Sequence, residues 1–298
     1  PVHEVPPGHL GWGGPGEAPR LAPYVDLLRL GEGEASITDV DEAAAAVRAT
    51  LRESIALRVD TDLTVGVVLS GGLDSSVTLA HVADLHPDCV AFTIGTPDSD
   101  DLAFARRLTA DLGVRHEVIE LRPGDIDLDA IRTAIAMSEL TEYGDIINAV
   151  VSVPLFRRIH ALGVKVVLAG DGSDELFGGY DMYAQIGDDL RQRLFLHKLA
   201  NLSRTELQRV DRTSMGQGVE VRVPFLDLEL VRLAMRMPID LKVRDGQEKW
   251  IVRQAFADLV PDYIRRRPKN PMSHSSGLHE RARLYKPRFA RIYADCGY

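Results

Sequence analysis

Val65-Gly66-Val67-Val68-Leu69-Ser70-Gly71-Gly72-Leu73-Asp74-Ser75-Ser76 is the stretch that decides the fold. Val65 to Leu69 is a short, uncharged, β-branched run and reads as a strand buried on both faces of a parallel sheet. Ser70, Gly71, Gly72, Asp74, Ser75 and Ser76 then make a turn with little side-chain bulk and many hydroxyls. Val77, Leu79, Ala80, Val82 and Ala83 follow with helical spacing. A strand, a glycine-rich turn and a helix N-terminus together form an anion site, because free backbone N–H groups converge there and the helix dipole favours negative charge.

The spacing excludes two common phosphate loops. No Gly-Lys-Ser/Thr follows the turn, so it is not a Walker A loop, and it lacks the Gly-x-Gly-x-x-Gly of a dinucleotide fingerprint. The remaining alternative is a tight turn whose glycines serve packing. Ser-Gly-Gly-Leu-Asp-Ser resembles the pyrophosphate loop of the ATP pyrophosphatases, which split ATP between its α and β phosphates.

Outward from this loop, strands and helices alternate. Cys89 to Ile94 is a second apolar run, Leu102 to Leu112 a helix closed by Gly113, and His116 to Leu121 a third strand. Leu128, Ile131 and Ile135 mark a helix, and another from about Ala149 to Leu162 feeds a strand from Val164 to Leu168. This pattern predicts an α/β fold, a doubly wound parallel sheet with ligands at the carboxyl ends of its strands, followed by a helical C-terminal part. Upstream, Thr38 is a candidate cap with Asp41 three residues on, and Val47, Leu51 and Ile55 recur at fourfold spacing as a first amphipathic helix.

Residues 1–34 are punctuated by proline and glycine and read as a linker, leaving 35–298 as the main domain. Gly11, Gly13 and Gly16 match Gly-x-Gly-x-x-Gly by spacing alone, with no strand before them and with Pro15 and Pro19 against a following helix. Pro1 rather than Met opens the sequence, consistent with a processed or trimmed chain or with part of a longer one.

The chain has 298 residues and a net charge of −9, which argues against nucleic acid as its main partner. No apolar run approaches membrane-spanning length and no signal peptide is apparent, so a soluble, cytoplasmic protein is expected. Cys89 and Cys296 are the only cysteines, too few for a disulfide framework or a structural zinc site.

The second chemically loaded stretch is Gly170-Asp171-Gly172-Ser173-Asp174-Glu175-Leu176-Phe177-Gly178-Gly179-Tyr180, directly after the last strand. Asp171, Asp174 and Glu175 would repel one another unless a cation or solvent relieved them. A magnesium ion carried by ATP is the economical explanation, since Mg²⁺ takes one or two carboxylates plus phosphate oxygens and water. In isolation the stretch also fits a solvated acidic loop.

Taken together, these two loops, the run Asp211-Arg212-Thr213-Ser214-Met215 leading into Gly218 to Asp227, and Glu248-Lys249-Trp250-Ile251-Val252-Arg253 resemble, in order, the synthetase domain of the asparagine synthetase B family. β-Lactam synthetase, carbapenam synthetase and lasso-peptide cyclases are members of the same group. The resemblance implies that Ser70, Gly71, Gly72, Asp74, Ser75 and Ser76 bind the β and γ phosphates of ATP. Asp74 and Asp174 would share Mg²⁺, and Leu69, Ile94 and Gly170 would line the adenine and ribose pocket. Lys249 would reach the α phosphate, where a lysine and a metal offset the charge that gathers as a carboxylate attacks. By itself Lys249 reads as a solvated charge.

Asp171 stands where many relatives carry glutamate. It is a candidate base or orienter for the attacking amine, or else a cap for the following turn. Residues 141–155, which hold aspartate in asparagine synthetases, do not show that pattern, and no arginine is found there to clamp a substrate carboxylate. Tyr143 is open between the tyrosine role of the lactam-forming relatives and a structural one. Arg265, Arg266, Arg267, Pro268 and Lys269, with Asn270 to Gly277, resemble a late Arg-x-Lys loop that closes over pyrophosphate, with a solvated basic surface as the other reading.

Complete family members begin with a glutaminase domain, for which no counterpart is found, yet Val5-Pro6-Pro7-Gly8-His9 resembles the segment that joins it to the synthetase. The expected activity is therefore an ATP-dependent ligase that adenylates a carboxylic acid and passes the acyl group to an amine or ammonia. The nitrogen would come free, from a separate glutaminase or carrier subunit, or from the substrate itself. A non-catalytic nucleotide-binding subunit and a sulfur-inserting or NAD-forming pyrophosphatase are the alternatives, and a homo-oligomer is left open.

Overall fold

A computed structural model describes residues 4–268 and 283–296. The chain opens with a hairpin, β1 (His9–Trp12) antiparallel to β2 (Arg20–Pro23), paired from His9↔Pro23 to Trp12↔Arg20. The linker expected at residues 1–34 thus contains regular structure. Its glycines and prolines shape the turn and entry, where Gly8 at φ 69° lies so close to the Val25 carbonyl that a Cβ would collide with it. Helix α1 (Val40–Val59) follows, capped by Asp39 rather than Thr38, with Asp39 accepting from the Glu42 amide at 2.9 Å.

The alternation continues with β3 (Val65–Val68), α2 (Leu73–Leu85), β4 (Val90–Gly95), α3 (Asp100–Leu112) and β5 (Arg115–Glu120). Then come α4 (Leu128–Ser138), α5 (Tyr143–Ala161), β6 (Val166–Leu168), α6 (Ser173–Phe177) and α7 (Asp188–Asn201). α8 (Gln208–Met215), β7 (Glu220–Arg222), α9 (Leu228–Arg236), α10 (Ile239–Lys242), α11 (Trp250–Ala255), α12 (Asp262–Arg265) and α13 (Phe289–Cys296) complete it. Gly113 closes α3 in the left-handed conformation, as its position in the sequence suggests. α5 begins at Tyr143, earlier than the apolar spacing indicated, and runs through Pro154.

Five parallel strands form the main sheet in the order β5-β4-β3-β6-β7. The chain leaves β3 toward β4 on one side and later returns to place β6 on the other. That reversal opens a crevice between the carboxyl ends of β3 and β6, where such folds bind ligands. Both loops singled out in the sequence start there.

Strand alternation divides the core. Val65, Val67 and Leu69 pack with α1, α2, α9 and α11, whereas Val90, Phe92, Ile94 and Val167 pack with α4 and α5 on the opposite face. Gly66 sits inside β3 because a Cβ there would lie 2.7 Å from Val167 Cγ1 and 2.8 Å from Phe92 Cε2. The two large neighbours fill the space a side chain would need.

Candidate active site

The first loop leaves β3 and enters α2 without a side-chain cap, so the first-turn amides face the crevice. Gly71 takes φ 67°, and a Cβ there would lie 2.6 Å from Phe104 Cβ, which accounts for glycine on both conformational and steric grounds. The turn is stitched by hydroxyls. The Ser70 amide donates to Ser75 Oγ at 3.2 Å, Ser75 Oγ donates to the Gly72 carbonyl at 3.2 Å, and the Gly72 amide donates to Ser70 Oγ at 3.3 Å.

Gly170 opens the second loop against the first. A Cβ at Gly170 would lie 2.8 Å from Asp74 Cβ, so the loops touch backbone to side chain. Ser173 Oγ donates to Asp74 Oδ1 at 2.7 Å across the crevice. Lys249 completes the junction, pairing with Asp74 Oδ2 and lying 2.6 Å from Asp174 Oδ1. The lysine is buried and has φ 53°, just before α11. A left-handed lysine costs about 1 kcal/mol or more, which two carboxylates on one ammonium offset.

Two adjoining cavities flank this junction. A small one of about 40 Å³ is lined by Ser70, Gly72, Asp74, Lys249, Arg253 and Arg267 among others. Buried Arg267 donates to the Ser70 carbonyl at 3.1 Å and to Asp101 at 2.6 Å, while Arg253 holds Glu248 and the Arg267 carbonyl. A larger cavity of about 400 Å³ runs outward from Ser70, Asp74, Ser75 and Gly170 to Asp171, Glu175, Tyr180, Glu206 and Arg209. That volume suits a small organic substrate.

Asp171 does not face the cavity as a free base. Its Oδ1 accepts from Arg209 at 3.0 Å, and the same guanidinium reaches Glu206 at 2.7 Å and Ser152 Oγ at 3.3 Å. Burial works against the Arg209 charge, but Glu206 and Asp171 outweigh it and hold the guanidinium protonated above the usual arginine range. Glu175 is 3% exposed and accepts from the Tyr180 hydroxyl, and burial, with Asp174 beside it, pushes its carboxyl up to about 7.

Of the residues read from the sequence, Ser70, Gly72, Asp74, Ser75, Gly170, Asp171, Asp174 and Lys249 meet around the two cavities. Leu69, Ile94 and Ser76 do not. The Leu69 side chain packs in the α1 side of the core and that of Ile94 in the α5 side, while Val68 lines the larger cavity. Ser76 is fully buried, one residue around the helix from cavity-lining Ser75. Gly71 shapes the turn without lining either cavity. Tyr143 lies against Phe289 with ring centroids 5.7 Å apart, a packing position away from the cavities. Of the late basic loop, Lys269 and the segment Asn270 to Gly277 lie outside the described residues.

Glu206, Arg209, Ser152 and Asn148 were not read as site residues. Glu206 lies on the π-helical turn Ser203–Leu207 leading into α8, just upstream of the Asp211 block that the resemblance picked out. Proximity to that block was the signal for Glu206 and Arg209, whereas Asn148 and Ser152 fall inside the 141–155 stretch that the resemblance ties to the acid.

Asp74 and Asp174 supply hard oxygen donors turned toward one cation, as Mg²⁺ held jointly by phosphate requires, and so the residues fit that ion. Among the described residues no group of three or more His, Cys, Asp or Glu converges to hold a metal unaided.

Comparison with known proteins agrees with the loops. The family model for asparagine synthase matches residues 46–194 and 184–295. Asparagine synthetase B [glutamine-hydrolyzing] of Escherichia coli is 33% identical over 297 residues, covering 93% of this chain and 52% of that protein. The putative asparagine synthetase [glutamine-hydrolyzing] 1 of Methanocaldococcus jannaschii is 30% identical over 276 residues, 80% of this chain and 50% of that protein. The chain thus spans about half the length of these relatives. With more than half of its residues inside the family model, the chain belongs to the asparagine synthase family.

Proposed function

We propose that this chain is an ATP-dependent, AMP-forming carbon–nitrogen ligase that adenylates a carboxylic acid and delivers the acyl group to ammonia or an amine. The observation that carries the reading is the meeting of Asp74 and Asp174, from different loops, on the single ammonium of Lys249. Such a convergence at the reversal point of a parallel sheet is suited to a metal-bound triphosphate.

In this reading the amides and hydroxyls of Ser70, Gly72 and Ser75 receive the outer phosphates. Asp74 and Asp174 would hold Mg²⁺, which supplies electrostatic relief of the phosphate charge. Lys249 exchanges a carboxylate for the α phosphate as negative charge gathers there. The acid enters through the larger cavity, and its carboxylate oxygen attacks the α phosphorus, forming the acyl adenylate and releasing pyrophosphate. The nitrogen then attacks the acyl carbon and gives up a proton to solvent, the bond from that carbon to the phosphate oxygen breaks, and AMP departs. Asp171, fixed by Arg209, orients the acceptor.

The nitrogen source is proposed to lie outside these residues, in a glutaminase domain or subunit, or in the substrate. The relatives are named as glutamine-hydrolyzing, and this chain corresponds to about half their length. Exchange of labelled pyrophosphate into ATP, scored across candidate acids, tests the reading. Acid-dependent exchange is expected, and production of ADP with orthophosphate instead would overturn it.

A further inference from the structure

Charge in the larger cavity is one-sided. Asp74, Asp171, Asp174, Glu175, Asp181 and Glu206 line it, and among the described residues Arg209 is the only arginine or lysine in its wall. Lys249 borders it from the small cavity and is engaged by Asp74 and Asp174. Arg209 is engaged as fully. Its Nε and Nη2 go to Glu206, Nη2 also to Asp171, and Nη1 to Ser152. A single guanidinium facing two carboxylates leaves no positive charge for a third. Half-buried Asp145, close enough to feel both Arg209 and Glu206, adds to the excess. Val68, Leu155, Phe156, Met182 and Val210 give the apolar part of the wall, and its other polar side chains, from Ser70, Ser75, Asn148, Ser152 and Tyr180, carry no positive charge.

An acid that enters must present one carboxylate to the phosphate end, where Lys249 and a metal can meet it. A second carboxylate would have to lie away from that end among Asp181 and Glu206, and like charges brought together in a partly dry cavity repel strongly. A protonated amine in the same place would find carboxylates on two sides, with Asn148, whose Oδ1 is buried without a partner, as a further acceptor.

We propose that the Glu206–Arg209 pair is the specificity device of the site, and that the acid it selects is a monocarboxylate bearing a cationic amine rather than a dicarboxylate. Glu206 cancels the one guanidinium that a distal carboxylate needs, and in doing so keeps the outer cavity negative. The inference rests on the reading that an acid occupies this cavity.

Chain-length-matched probes separate the possibilities, with succinate, butyrate and 4-aminobutyrate as the first set and their longer homologues as the next. Thermal stabilisation of the chain in saturating Mg·ATP reports binding of each. The amino acids are expected to bind at least about tenfold more tightly than the dicarboxylates, with the alkanoates between. Glu206→Gln, which releases one bond partner of Arg209 and removes a negative charge, is expected to reverse the order of amino acid and dicarboxylate. Dicarboxylates binding as well as or better than amino acids to the unaltered chain, or no difference among the three series, overturns the proposal without needing the variant. Failure of every acid to support pyrophosphate exchange strikes instead at the ligase reading, whereas exchange driven best by dicarboxylates strikes only at this inference.

Discussion

Gly179 lies where the side chain of Lys249 crosses to Asp174, so closely that a Cβ at position 179 would run into both Lys249 Cε and Asp174 Oδ1. The absence of a side chain at one residue is therefore what lets two loops and a lysine share a point.

Gly179→Ala is expected to lower acid-dependent pyrophosphate exchange by about 100-fold, because a displacement near 1 Å at reacting groups costs that much. The loss should fall mainly on turnover, with a melting temperature only modestly reduced. Exchange within about twofold of the unaltered chain would show that the junction tolerates the extra carbon.

Lys249→Met removes the ammonium between two carboxylates whose side chains are 13% and 18% exposed. Breaking such a pair costs about 3–5 kcal/mol when the residual charge stays buried. Stability lost in this variant is expected to return in part on adding Mg²⁺, since the freed carboxylates then have a cation, and a denaturant titration with and without the ion reads this. Exchange activity is expected to remain absent in either case.

Arg267→Gln is expected to raise the KM for ATP more than it lowers kcat. The guanidinium holds the Ser70 carbonyl and the buried Asp101, so its loss loosens the turn after β3 and removes a charge-assisted hydrogen bond from a buried carboxylate. Steady-state exchange kinetics against ATP concentration separate the two parameters.

His81 gives a pH dependence unrelated to chemistry. It is 4% exposed, packs edge-on against Phe256, and both ring nitrogens lack a partner. Burial first, then Arg52 and Arg48, push its pKa from 6.5 down to about 4. The unfolded chain therefore binds more protons between those values, so stability falls as pH drops from about 6.5 to about 4, by up to ~3 kcal/mol. His81→Phe is expected to remove that slope from urea midpoints measured across the window.

The sheet and both loops were legible in the sequence because their signals are local. An apolar strand, a turn without side-chain bulk and a helix follow one another within a dozen residues, and the same grammar recurs. What local patterns convey less well is parity and rotation. Val68 and Leu69 are neighbours, but strand alternation sends one to the cavity and the other to the α1 core. Ser75 and Ser76 differ by one helical step and likewise part company. The hairpin at the start was hidden because glycine and proline mark turns within structure as readily as gaps between elements. Arg209 with Asp171 and Arg267 with Asp101 pair across 38 and 166 residues, a separation that no local pattern encodes. Lys249 was placed at the phosphates only through its resemblance to a family block, since an isolated lysine beside a tryptophan carries no such signal.

The lysine clasped by Asp74 and Asp174 also has a meaning for the resting protein. Under the proposed function it would stand in for a divalent ion between turnovers, keeping Asp74 and Asp174 from pushing the two loops apart. On that reading nucleotide arrival would be an exchange of one cation for another, and the free energy of binding a difference between two satisfied arrangements rather than the filling of a void.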